Sequence, residues 1–390
     1  MKKINTILAI TLFVIAGGIG CKSSGSQSDD LITVDVTKSY PKKELILQDF
    51  MDVEYMALET NDDFVTQGMI VDIGKEIILD RNARDGNIHI FDRTGKGLRK
   101  INRMGQGPEE YLMPINIILD EENSEMFVND GPTSKIIVYD LYGTFKRSFR
   151  YKEGALVANI YNYDKDYLMC QDDYAPAPGF DLESHRNSFF LISKQDGSIR
   201  DIVIHFENKI SKMLTVQDEG MIYANSPRNS LITPFQNNWL LTEPSSDTVF
   251  MYLSDHTMTP FIIRTPSVQS MDPETFLFPG VLTDHYYFME SVKKEYNFQT
   301  QTGFQGKKLM YDTQEKTIYE YTVNNNDYRE RTENMSMRSI NNEIAFYDRL
   351  EAFQLVEAYE KGQLKGRLKE IAAGLDEEDN PVIMIVKYKK

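Results

Sequence analysis

The stretch from Asn87 to Tyr151 reads NIHIFDRTGKGLRKINRMGQGPEEYLMPINIILDEENSEMFVNDGPTSKIIVYDLYGTFKRSFRY. An apolar run closed by aromatic-Asp-x-x-Gly occurs in it twice, as Phe91-Asp92-x-x-Gly95 and, 48 residues later, as Tyr139-Asp140-x-x-Gly143. Between the copies, apolar alternation gives way repeatedly to turn residues, which is the pattern of a small antiparallel sheet repeated along the chain.

Outward from this pair, one four-stranded unit is expected at Met69–Ile73, Glu76–Asp80, Asn87–Asp92 and Leu98–Arg103, with turns at Gly74, Asp85-Gly86 and Gly95. The next is Ile115–Asp120, Glu125–Asp130, Lys135–Asp140 and Thr144–Tyr151. Four short strands joined by tight turns are one propeller blade. A third blade is expected from Val157 to Phe206 around a Pro/Gly-rich insertion, Tyr174 to Ser184, and Glu207–Gly220 reads as a long connection. A fourth runs from Leu231 to Arg264. A fifth is Tyr286–Val292, Glu295–Gln299, Lys307–Asp312 and Thr317–Val323, in which Tyr311-Asp312 repeats the aromatic-Asp pair.

Four apolar segments remain, Leu31–Val36 and Val53–Leu58 near one end and Ile340–Phe346 and Val382–Lys389 near the other. They sum to one further blade, and an open ring would expose sheet edges. The fold expected is therefore all-β, a six-bladed β-propeller closed by pairing of its N- and C-terminal strands. A short α-helical insertion is expected at about 348–375, where Leu355, Tyr359, Leu364, Leu368 and Ile371 recur at helical spacing between glycines.

The first residues differ from the rest. Lys2 and Lys3, an apolar run from Ile7 to Ala16, and small residues before Cys21 form an export signal too short to span a bilayer. Gly18 to Cys21 resembles a bacterial lipobox, which implies cleavage after residue 20, lipidation of Cys21, and a flexible tether over residues 21–30 ahead of a single propeller domain over 31–390. The remaining cysteine, Cys170, lies in an apolar run and reads as a core residue.

The whole chain carries 43 Lys and Arg against 59 Asp and Glu, and loss of Lys2 and Lys3 with the signal moves the net charge from -16 to -18. Such a field repels nucleic acid and anionic lipid head groups. Membrane attachment would rest on the acyl group at Cys21 rather than on basic residues. A mean hydropathy of -0.42 excludes a multi-span membrane protein.

The run INRMGQGPEEY, Ile101–Tyr111, together with VEYMALET at Val53–Thr60, SSDTVFMYLSD at Ser245–Asp255 and DNPVIMIVKYK at Asp379–Lys389, resembles the six-bladed β-propeller lipoproteins of the Bacteroides group, themselves similar to NHL-repeat propellers. The resemblance implies an outer-membrane lipoprotein near nutrient or glycan uptake systems, and it carries over no catalytic residues. Lys22 and Ser23 follow Cys21 where surface-exposed members carry acids, so periplasm-facing and cell-surface anchoring both stay open.

No constellation in the sequence announces chemistry. His89, His185, His205, His256 and His285 show no metal-ligand spacing, and neither a nucleophile elbow nor a Walker loop is present. No cofactor and no metal site is expected, although related lactonases hold a central calcium. Gly105-Gln106-Gly107-Pro108 lacks the lysine and helix of a phosphate cradle and reads as a connection between blades. Such connections commonly form a ligand face. Arg103, Gln106, Glu109 and Tyr111, with His285, Tyr286 and Tyr287 ahead of an expected inner strand, are therefore the ligand candidates, a mixture suited to a glycan or peptide. Trp239 reads as core. The function expected is a monomeric binding or scaffolding module for a glycan, a peptide or a partner protein. The alternative is a propeller enzyme, either a lactonase-like metal-dependent hydrolase or a carbohydrate-active hydrolase or lyase.

Overall fold

The computed structural model describes residues 31–152, 154–173, 185–218 and 221–389. The signal, Cys21, the tether and the insertion at 174–184 lie outside the described residues. No described helix is long and apolar enough to cross a membrane.

The fold is a six-bladed β-propeller. Blade one comprises Met69–Ile73, Ile77–Arg81, Asn87–Asp92 and Gly97–Asn102, and blade two Pro114–Asp120, Glu125–Asp130, Lys135–Asp140 and Phe145–Arg150. The aromatic-Asp-x-x-Gly unit is the turn between third and fourth strands. Asp140 Oδ1 accepts the backbone N–H groups of Tyr142 and Thr144, both at 2.8 Å, and Asp92 Oδ1 does the same for Thr94 and Lys96. The glycines supply the positive φ that lets the chain reverse, +89° at Gly95 and +83° at Gly143.

Blade three holds Val157–Asn162, Tyr167–Asp172, Phe189–Ser193 and Ile199–Ile202, and blade four Ile232–Phe235, Asn238–Thr242, Thr248–Tyr252 and Met258–Thr265. Between them the expected long connection contains a hairpin, Leu214–Asp218 with Met221–Asn225.

Blade five corrects the sequence reading. Its first strand is Thr275–Leu282, followed by Tyr286–Lys293, Gly306–Asp312 and Thr317–Asn324, while Tyr296–Asn297 belongs to a small side hairpin. The segment TFLFPGVL is buried at every residue, so it has no alternation, and Pro279-Gly280 interrupts it. An innermost strand tolerates this proline because its channel side has no ladder partner.

The closure also differs in part. Ile344–Leu350, Val382–Tyr388 and Met51–Ala57 form blade six, with Met51 opposite Tyr388 and Ala57 opposite Val382. The N- and C-terminal strands do pair. The earlier N-terminal strand, however, goes elsewhere. Ile32–Asp35 adds in parallel to the outer strand of blade four, and Lys42–Ile46, inside a segment that reads as polar, adds in parallel to that of blade five. Each satisfies an edge that would otherwise be open. Met335–Ile340 turns back beside Ile344, with the Ile340 N–H donating to the Ile344 carbonyl, and takes the innermost position of blade six without a regular ladder. Two helices, α1 (Ala352–Glu360) and α2 (Gly366–Ala372), bridge Leu350 to Val382 and bury Leu355, Ala358, Leu364 and Leu368 against blades five and six.

Candidate functional site

All first strands run the same way around the channel, so their C-terminal ends and the turns into the second strands gather at one end. A cavity of about 820 Å³ opens there. First strands are sheet edges, and their backbone groups on the channel side need partners. The Leu119 N–H of blade two donates to Asp72 Oδ2 of blade one at 2.8 Å, and Asn162 Nδ2 of blade three donates to the Leu119 carbonyl at 3.2 Å.

Arg338 does the same from the opposite side. From the irregular inner segment of blade six its Nη2 donates to the Ile160 carbonyl and its Nε to the Tyr161 hydroxyl, each at 2.9 Å, with the guanidinium 4.3 Å from the Tyr161 ring centroid. Blades three and six stand opposite in a six-membered ring, so this contact crosses the channel. The Tyr161 hydroxyl in turn donates to the Ile232 carbonyl of blade four at 3.1 Å.

One wall is aromatic. Trp239 meets Tyr161 edge-on at 5.3 Å and lies 6.0 Å from Tyr163, which stacks on His256. The Tyr163 hydroxyl is buried without a hydrogen-bond partner among the described residues, and burial pushes it up to about 12. Burial also pushes the Asp72 carboxyl up to about 6, against the pull of the Leu119 and Ile73 N–H groups and the Arg338 charge. At the rim, Lys194 and Asp120 form a buried pair at 2.7 Å, and Glu121 accepts the N–H groups of Lys75, Glu76 and Ile77. Hydrogen-bonding groups beside flat aromatic faces are suited to a polyhydroxylated ligand.

The sequence-based candidates lie elsewhere and not together. The Arg103–Tyr111 connection joins a fourth strand to a first strand, at the opposite end of the channel from the cavity. Its polar groups are mostly spent on itself. The Tyr111 N–H donates to the Arg103 carbonyl, Gly107 N–H to Glu110 Oε2, and Tyr139 Oη–H to the Glu109 carbonyl. Tyr111 is fully buried, its hydroxyl donating to the Gly86 carbonyl at 2.7 Å and its ring edge-on to Tyr139. Arg103 donates through Nε to the Gly143 carbonyl, and with Gln106 and Glu109 it is exposed. His285, Tyr286 and Tyr287 follow the first strand of blade five rather than precede it, and so sit at the cavity end. They lie outside the cavity: His285 stacks on Tyr286 and approaches Asp312 at 3.2 Å, Tyr286 packs on Phe50, and Tyr287 on Phe235 and Phe261.

The sequence reading missed Asp72, Asn162, Tyr163 and Arg338. The signal available for the first three is position, since each stands at or just past the end of a first strand, in VDIG and YNYD. Arg338 lies in a segment that forms no regular strand and left no such mark.

Ring and cavity together define a six-bladed propeller with a polar, aromatic-walled central site. The chain matches, over residues 31–387, a family described as a domain of unknown function, DUF4934, and it belongs to that family. No curated protein matches it. Among solved structures it is similar to a Bacteroides fragilis protein described as exported, with a TM-score of 0.59 and 13% identity over 92% of this chain and 100% of that one. It is also similar to a DUF4221 member of Bacteroides vulgatus, with a TM-score of 0.48 and 9% identity over 88% and 99%. At these identities the similarity concerns the fold.

Proposed function

We propose that the protein is an exported, lipid-anchored outer-membrane propeller, monomeric and related to NHL-repeat propellers, that binds an oligosaccharide in its central cavity as a non-enzymatic module serving nutrient uptake. Export is supported by the signal-like N-terminus and by the description of the Bacteroides fragilis neighbour. The observation that carries the ligand class is the cavity wall, where the rings of Tyr161, Tyr163 and Trp239 share one lining with Asn162 and Asp72.

A second reading rests on Asp72. A carboxyl titrating near 6 inside a cavity is placed to protonate a leaving oxygen, as a carbohydrate-active hydrolase or lyase requires. Among the described residues, no group of three or more His, Cys, Asp or Glu is arranged to hold a metal.

The test is a thermal-shift screen against oligosaccharides and peptides, repeated on Asn162→Ala and Tyr163→Ala. A glycan that raises the melting point of the native protein, and raises it less in both variants, supports cavity binding. Turnover of that glycan, lost in Asp72→Asn, supports the enzyme instead. Stabilisation by peptides alone overturns the glycan reading.

A further inference from the structure

A second cavity, of about 520 Å³, lies between blades six and one and shares Lys75 and Glu343 with the central one. Its lining differs in charge. Lys75, Arg93, Arg367 and Lys387 stand against Glu54 and Glu343. This is a local excess of cations in a chain whose overall balance is 43 basic to 59 acidic residues.

The four cations are not equally engaged. Arg93 Nη2 binds Glu54 at 2.9 Å and its Nη1 donates to the Gly74 carbonyl at 2.8 Å, while Lys387 also pairs with Glu54. These two offset one carboxylate, and the Arg93 Nε–H is buried with no acceptor among the described residues. Arg367 pairs with Glu370 one turn along its own exposed helix, and Lys75 makes no ion pair among the described residues. With four cations lining it against the carboxylates of Glu54 and Glu343, one of the four, Arg367, held only by an exposed pair on its own helix and another, Lys75, in no ion pair among the described residues, the groove carries an excess of positive charge.

We propose that this groove is an anion subsite continuous with the central cavity, and that the ligand is an acidic oligosaccharide with one residue in the cavity and a carboxylate or sulfate in the groove. This rests on the oligosaccharide reading of the cavity. The aromatic wall and the side-chain amides of Asn162, Asn237 and Asn342 match sugar faces and hydroxyls rather than the alternating side chains of a peptide strand.

The experiment is isothermal titration of the full mature chain with uronate- and sulfate-bearing hexasaccharides, each paired with its methyl-esterified or desulfated form, and with a hexaglutamate peptide. Arg367→Glu is the groove variant, since its side chain lines the groove but not the central cavity and braces neither Glu54 nor the blade; Asn162→Ala is the cavity variant. The acidic form is expected to bind roughly ten-fold more tightly than its neutral partner at low salt, from two partly exposed ion pairs. That preference should fall as salt rises and vanish in the groove variant, whose affinity for the neutral form stays native. Preference for uronates or for sulfates tells which anion is used. Equal affinity for acidic and neutral forms, with a silent groove variant, overturns the subsite and leaves the cavity reading standing. Failure of every sugar to bind overturns both. Hexaglutamate bound as tightly as the acidic sugars overturns the ligand class.

Discussion

The Arg338 Nε–H donates to the Tyr161 hydroxyl at 2.9 Å, joining blade six to blade three across the channel. The Arg338 Nη2–H donates to the Ile160 carbonyl of blade three, also at 2.9 Å, and the other polar contacts described around the cavity join neighbouring or near-neighbouring blades, so Arg338 is the side chain that ties opposite sides of the ring. Arg338→Ala is expected to cost about 1.5–3 kcal/mol, the range for a hydrogen bond to a charged group, read by urea denaturation. Arg338→Lys should recover charge but not the two-point contact, and so restore little of the loss.

Gly280 packs closely against the inner segment of blade six that carries Arg338. A β-carbon there would overlap the Met335 carbonyl oxygen and the Ser336 Cα, and the neighbouring Val281 N–H donates to that same carbonyl at 2.8 Å. Gly280→Ala should push the inner segment of blade six away. It should destabilise by about 1–3 kcal/mol, as overpacking does, read by the same urea denaturation.

Asp72 gives a pH dependence of definite sign. Its carboxyl rises from 3.8 in the free chain to about 6 in the fold. The folded state therefore holds the proton more tightly, and this contribution is full below pH 3.8 and lost as pH climbs through 6. Because the side chain is not wholly shielded, the size expected is on the order of 1–2 kcal/mol. Denaturation at several pH values should show the native protein losing this much relative to Asp72→Asn across that window. Parallel curves for the two proteins would contradict the burial of this carboxyl. Glu125 is the counter-case: the Arg147 guanidinium and the Lys146 ammonium hold it down to about 2, so its contribution is lost as pH falls from 4.5.

The closing strand carries the ring. Val382–Val386 is fully buried and pairs on both sides, with Ile344–Leu350 and with Met51–Ala57. Five such side chains at about 1.5–3 kcal/mol each approach the whole stability of a typical domain. Deleting Val382–Tyr388 should abolish cooperative melting, and a truncated chain that still melts sharply at the native temperature would contradict closure by the termini.

The blades were legible because their turns carry their own chemistry. Asp92-x-x-Gly95 and Asp140-x-x-Gly143 need an acid to hold two N–H groups and a glycine at positive φ, and both residue types show in the sequence. Thr275–Leu282 was not legible, since a strand buried on both faces has no period and Pro279 reads as a break. Lys42–Ile46 was hidden for the opposite reason, an exposed rim strand made of KKELI. The site was less legible than the fold. Arg103–Tyr111 is conspicuous because its glycines and aromatics build a self-satisfied connection, with Tyr111 in the core. The cavity residues are ordinary Asp, Asn, Tyr and Arg, and only the ring brings them together from blades one, three and six.

Hydrogen-exchange protection by a bound acidic oligosaccharide tests the central claim most directly, because the two ends of the channel give separate peptides. Protection is expected over residues 71–76, 117–122 and 160–165, which line the cavity, with none over 103–111. Protection confined to 103–111, or absent from the first three segments at saturating sugar, would contradict the assignment of the ligand to the central cavity.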